Sequence, residues 1–307
     1  MHQPGGVNVQ QRLGIPRALH ARSAKAIRHG RWLLAAILAM VFAIPAAAVP
    51  TIDISAAPAP IEQPALWVLS DADTTIYLFG TFHALDERTD WFARNIRAAF
   101  DAADELVLET IVPSDPVELF ATLSRHSLTA PAVVGAPVIA SGRSGSMASS
   151  AGATMAAGTS AGLSVERGAD AVLRRIADAE GKLVDGLESF DFQINMFATL
   201  RATAPAPHTV VTSPQPDVKQ LLLDMRSAWK RGDGSRIAAV LGTLEAQSPG
   251  TYQRLFVDRN RNWARVIAER MERPGTVFVA VGTGHLIGRD SLQRKLSRHG
   301  LTATRIH

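Results

Sequence analysis

The chain has 307 residues, 47% hydrophobic and 20% charged, which is enough apolar content for one large domain or two small ones around a real core. It contains no cysteine, which excludes disulfides, thiolate metal ligands and cysteine nucleophiles, so a transition metal would have to be held by His, Asp or Glu. The formal charge of +4 does not point to nucleic acid: six of the 32 basic residues lie in residues 1–48 without a single acid, and the other 26 face 28 acidic residues.

In chain order, residues 1–48 read as a secretion signal. A positive region ends at Arg31, an apolar stretch runs over Trp32–Ile44, and Pro45-Ala46-Ala47-Ala48 offers a small-residue cleavage site. The alternative is an uncleaved N-terminal anchor; nothing after Ala48 reads as a membrane span. Residues 49–65 are rich in proline and alanine and read as a linker, and residues 66–307 as a single domain.

Within it, Leu66–Leu69 and Thr75–Phe79 predict a hairpin turning at Asp71-Ala72-Asp73. Asp90 is the expected N-cap of a helix reaching about Ala103, with Phe92, Ile96, Ala99 and Phe100 on its inner face. Leu106-Val107-Leu108-Glu109 reads as a short buried strand ending in a carboxylate. Residues 126–164 are rich in Ser, Gly, Ala and Met and nearly without charge, and read as a flexible low-complexity insertion. A helix over Asp170–Glu180, a strand at Leu183–Val184 and a helix carrying Gln193 follow, and Pro205–Pro216 reads as a loop. Asp217 caps the next helix, with Gln220 placed for a capping box. Helices are expected near Ser235–Glu245, Thr251–Met271 and Arg289–His299, with Leu301–Ile306 as a closing edge strand. The sum is an α/β or α+β fold: a central mixed sheet with flanking helices and a helical middle segment.

One phrase occurs twice. Ile76–Phe79 runs into Gly80-Thr81-Phe82-His83, and Val277–Val281 runs into Gly282-Thr283-Gly284-His285. Each places an imidazole just beyond a buried strand, where α/β folds build sites. With Glu109 also at a strand's end, His83, Glu109 and His285 make a sufficient protein shell for a catalytic divalent ion such as zinc, manganese or cobalt. The bland alternative is a set of hydrogen-bonded structural side chains. The cluster Arg259-Asn260-Arg261-Asn262-Trp263 reads by itself as a solvated helix face with Trp263 turned inward; its functional reading sends a side chain into the site to hold a carboxylate or an oxyanion. The run Gly282–Gly288 has GxGxxxG spacing with no acid in the following strand, which argues against dinucleotide binding. Ser144 sits in the low-complexity insertion and is no nucleophile elbow.

Leu66-Trp67-Val68, Ile76–His83, Ala103–Glu109, Gly168-Ala169-Asp170, Gly186-Leu187-Glu188, Gln193, Arg259-Asn260 and Phe278–Gly288 together resemble the TraB/GumN family. That family is similar to the Tiki metal-dependent proteases and, more distantly, to the erythromycin-esterase and ChaN haem-binding groups. The resemblance covers roughly residues 66–110 and 168–306, and residues 110–167 depart from it. It implies a metal site on His83, Glu109 and His285, with Glu109 either a ligand or the general base and with Arg259 and Asn260 in support. The expected function is a metal-dependent hydrolase, peptidase-like, acting on a peptide or protein in the periplasm or cell envelope. The alternative from another class is a non-catalytic periplasmic protein that binds haem or a peptide, or a regulatory protein with a vestigial site.

Overall fold

The computed structural model describes residues 63–126, 156–203 and 217–307. The expected leader, most of the linker and insertion, and the whole Pro205–Pro216 loop lie outside the described residues.

The fold is a mixed α/β arrangement around one six-stranded sheet. Strands β1 (Leu66–Ser70) and β2 (Thr74–Thr81) form the expected antiparallel hairpin. Asp71 shapes its turn, Oδ1 accepting from the backbone N–H groups of Asp73 and Thr74. Helix α1 (Arg94–Asp101) leads to β3 (Glu105–Leu108), and α2 (Pro116–Arg125) follows. Then come α3 (Ala169–Glu180), β4 (Leu183–Gly186), α4 (Phe190–Thr203), α5 (Val218–Lys230) and α6 (Ser235–Gln247). Next, α7 (Pro249–Tyr252) continues through a π-helical stretch, Gln253–Asp258, into α8 (Arg259–Met271). Strand β5 (Gly275–Gly282), α9 (Leu292–Leu296) and β6 (Thr304–Arg305) close the chain.

The strand order is β4-β3-β5-β2-β1-β6. The four strands β4, β3, β5 and β2 are mutually parallel; β1 runs antiparallel to β2, and β6 antiparallel to β1 at the sheet's end. Both faces of the sheet are covered. Val277, Val279 and Val281 of β5 pack with Trp263, Ile267 and Met271 of α8 and Leu292 and Leu296 of α9 on one face. Phe278 and Ala280 point the other way, into a core with Phe79, Phe100, Leu173, Ile194 and Trp229. A strand buried on both faces carries no polar alternation, which is why β5 reads as an unbroken apolar run. Among the described residues no helix is long and apolar enough to cross a membrane.

The structure corrects several expected boundaries. Helix α1 begins at Arg94, after Ala93 and without a side-chain cap, not at Asp90. Trp91 is buried and stacks on Phe79 at 5.5 Å between ring centroids, so burial of an aromatic holds the chain out of helix where the cap would have started it. Asp217 caps α5 as expected, but Gln220 donates to Asp224 and leaves the capping box half made. The last helix shrinks to α9 plus a 3₁₀ turn, and the closing strand to two residues.

Ahead of the expected insertion, in residues to which the sequence assigns no element, Asp115 caps α2 and Pro116 occupies its first turn. The far end of the insertion is packed: Leu163 is buried, and Ser164 and Leu85 exchange two backbone hydrogen bonds.

Candidate functional site

Four parallel strands bring their C-terminal ends to one edge of the sheet, and the candidate residues stand just beyond them. Strands β2 and β5 are direct neighbours with Thr81 opposite Gly282, so the two repeated phrases lie side by side, one residue out of step. His83 follows β2, His285 follows β5 on a 3₁₀ turn, Glu109 follows β3 and Glu188 follows β4. Helix α8 supplies Arg259 and Asn260 directly after its π-helical lead-in, a feature frequent at functional sites. All five residues singled out in the sequence (His83, Glu109, Arg259, Asn260 and His285) therefore meet in one place. The polar cluster on α8 splits: Arg259, Asn260 and Trp263 are buried, and Arg261 and Asn262 are exposed.

Each histidine is locked through Nδ1. Asn260 donates from Nδ2 to the carbonyls of His285 (3.1 Å) and Asp290 (2.8 Å), so its Oδ1 must be the acceptor facing His285 Nδ1 at 2.7 Å. His285 consequently carries its proton on Nδ1 and a lone pair on Nε2. His83 Nδ1 meets Asp170 Oδ2 at 2.7 Å, and the other oxygen of Asp170 accepts from Thr81 Oγ1 at 2.7 Å. His83 Nε2 is thereby turned inward. A Cβ built on Gly282 would lie 2.9 Å from both His83 Nε2 and Glu109 Oε1, so those two atoms converge above that glycine. His285 Nε2 stands 3.8 Å from the same Glu109 oxygen.

Arg259 fills the centre. Its Nη2 donates to Glu109 Oε2 and to Glu188 Oε1, both at 2.6 Å, and its Nε donates to Glu188 Oε2 at 3.1 Å. Its Nη1 lies 3.2 Å from His285 Nε2. The guanidinium also stacks over Trp263 at 4.4 Å, and Trp263 Nε1 and Gln193 Nε2 donate to Glu188. The remaining oxygen of Glu109 accepts the Gly282 N–H at 2.6 Å.

These contacts set the protonation states. Burial pushes Glu109 towards neutrality, but Arg259, the two histidines and the Gly282 N–H outweigh it and hold its pKa at about 2. Burial dominates at His285, with Arg259 adding to it against Glu109, and lowers its pKa to about 3. Burial opposes charge on His83 too, yet Asp170 and Glu109 overcome it and raise its pKa. Glu188 is raised because burial outweighs its pairing with Arg259.

The two histidines therefore bend the stability profile in opposite senses. The contribution of His285 is complete above its ordinary value of 6.5 and is lost as pH falls towards about 3. That of His83 is complete below 6.5 and is lost as pH rises through its raised value. Urea denaturation from pH 6.5 down to 4.5 should show an acid limb approaching ~1.4 kcal/mol per pH unit. His285→Ala should flatten that limb and His83→Ala the alkaline one; an acid limb unchanged in His285→Ala would contradict the assignment.

The site's chemistry suits a divalent cation. Two imidazoles turn Nε2 inward, each oriented by an oxygen on Nδ1, as metal-bound histidines are. Glu109 and Glu188 share the guanidinium of Arg259, and Asp170 pairs with His83, so the site carries more carboxylates than permanent positive charges. As the side chains stand, however, no group of three or more His, Asp or Glu residues among the described ones is gathered so that it could hold a metal ion. Arg259 lies on two of the three expected donors.

The sequence reading has Asp170 and Glu188 only within motifs of the resemblance, Thr81 only within the repeated phrase and Trp263 only as an inward-facing side chain, and it assigns none of them to the site. Gly186-Leu187-Glu188 repeats the pattern that marked Glu109, a strand end followed by a carboxylate, and that pattern would have found Glu188. Asp170 carries no chemical signal beyond its motif, since an acid in a helix's first turn is ordinary.

The model of the TraB/PrgY/gumN family matches residues 65–130 and 116–305, and so runs across the stretch 110–167 that the sequence reading set apart. No curated protein and no solved structure matches the chain.

Proposed function

The chain belongs to the TraB/PrgY/gumN family, and from that premise we propose that it is a metal-dependent hydrolase of the cell envelope, peptidase-like in its chemistry. The observation that carries this reading is the shared orientation of His83 and His285: both have Nδ1 fixed by oxygen and Nε2 turned towards Glu109. His83, Glu109 and His285 would hold the ion. When bound, a divalent cation lowers the pKa of water towards neutrality and polarises a scissile carbonyl.

The chain's own groups have separable tasks in this reading. Glu109, kept ionised far below neutral pH, is a poor proton acceptor and serves as a ligand rather than as the general base. Asp170 and Asn260 hold the two imidazoles in their tautomers. Arg259, kept in place by Glu188, offers N–H donors to charge developing on an oxyanion. The resemblance to the Tiki proteases favours a peptide bond as the target, and the signal-like leader favours export to the periplasm.

The test is elemental analysis of the purified protein beside His285→Ala, both stripped with chelator and reloaded with zinc, manganese or cobalt. About one ion per chain is expected in the parent, with loss in the variant. Absence of metal from both would sink the hydrolase reading and leave the same residues to a non-catalytic ligand.

A further inference from the structure

The guanidinium of Arg259 and a metal ion make incompatible demands on one atom. A neutral imidazole nitrogen has a single in-plane lone pair. At His285 that lone pair is the one on Nε2, because Nδ1 bears the proton donated to Asn260. Arg259 Nη1 faces it at 3.2 Å, and the guanidinium has no acceptor of its own, so the contact engages that lone pair. Arg259 also neutralises Glu109, the carboxylate nearest both histidines.

The guanidinium has a second holding. Two of its nitrogens, Nε and Nη2, grip both oxygens of Glu188, and its face lies on Trp263. Glu188 is itself held by Trp263 Nε1 and Gln193 Nε2. Loss of the contact to His285 therefore leaves Arg259 anchored beside the site.

We propose that Arg259 is an internal cation that competes with a metal ion for His285 Nε2 and Glu109, and that it swings off His285 Nε2 on metal loading while Glu188 retains it. Arg259 and the ion compete for the same donors, and Glu188 is the positioning residue that keeps the displaced guanidinium within reach of a substrate. This rests on the metal-site reading above and adds a sign to it: removal of Arg259 strengthens metal binding. A merely structural arginine, or one that only contacts substrate, would weaken it or leave it unchanged.

The experiment is a chelator-competition titration of the full protein with zinc, comparing the parent, Arg259→Met and His285→Ala, with folding checked by circular dichroism. Arg259→Met is expected to bind zinc roughly tenfold or more tightly than the parent, because a positive charge beside the ion has been removed. His285→Ala is expected to lose binding. Binding in the parent that is equal or weaker in a folded Arg259→Met variant would overturn the competition and spare the metal site. No binding in either would overturn the metal site as well.

Should Arg259→Met fail to fold, a crystal structure of the parent protein grown with cadmium decides the matter. The competition predicts cadmium on His285 Nε2 and Arg259 beyond hydrogen-bond distance of it but still paired with Glu188. Cadmium ligated by His83 and Glu109 with the Arg259–His285 contact intact would refute it.

Discussion

Arg259→Met should lower the stability of the metal-free protein by about 3–5 kcal/mol at pH 7, the usual cost of removing one partner from a buried ion pair. The size follows from what remains. The Arg259 and Glu109 side chains are only 3% and 7% exposed, and Glu188 is equally shielded at 7%. Without the guanidinium, Glu109 keeps only the Gly282 N–H, and Glu188 keeps only Trp263 and Gln193. Two carboxylates would then share a dry site without its permanent cation, and each would be driven towards its protonated form. The deficit should accordingly shrink as pH falls through the raised carboxylate values. Arg261 is the internal comparison: it lies two residues on, its side chain is 60% exposed, and among the described residues its one ion pair is with Asp258, so Arg261→Met should change stability by no more than ~0.5 kcal/mol. Urea melts of both variants at pH 7 and pH 5 check the contrast. A loss below about 1 kcal/mol for Arg259→Met would mean that the buried network is not closed as described.

A single methyl group should have very different effects at two glycines of the site. A Cβ on Gly168 would stand 2.1 Å from the His83 carbonyl oxygen and 2.5 Å from its carbon, both backbone atoms. Helix α3 starts there, its Ala169 N–H bonded to Phe82 O at 3.0 Å, and one residue later Asp170 holds His83. Backbone cannot rotate out of the way, so Gly168→Ala must separate α3 from the end of β2. Its cost should reach or exceed the top of the ~1–3 kcal/mol range for overpacking, with loss of the His83–Asp170 contact. On Gly282, by contrast, the new Cβ would meet the ends of two side chains, Glu109 and His83, at 2.9 Å each. Those can swing aside at a cost of about 1 kcal/mol, but in doing so they leave the positions a metal needs. Gly282→Ala should therefore stay folded and lose metal, and Gly168→Ala should lose both. Melting curves with metal content separate the two; a Gly282→Ala protein with full metal content would show that the three donors do not converge there.

Much of the fold and the site was legible before any coordinates. The continuous apolar runs Ile76–Phe79 and Val277–Val281 specify strands, because burial on both faces leaves no place for polar alternation. The repeated Gly-Thr-x-His phrase and the carboxylate after Leu108 named His83, His285 and Glu109 as companions, since strand ends are where polar side chains can leave a covered sheet. Local signals failed where packing overrode them, as when burial of Trp91 displaced the start of α1.

The sequence by itself determined which residue types stand at the strand ends and which segments alternate between strand and helix. Only the tertiary structure decided that β5 lies between β2 and β3, and so put Glu109 within reach of both histidines. Strand order and register depend on which faces find a partner, and no local pattern encodes that choice. The same holds for the electrostatics. Arg259 reads in sequence as one charge in a solvated run, and it becomes a buried cation only because Glu109 and Glu188, 150 and 71 positions away, arrive on neighbouring strand ends to neutralise it. A charge can be buried only where its counter-charges are already fixed, and that is a property of the assembled sheet rather than of any segment of the chain.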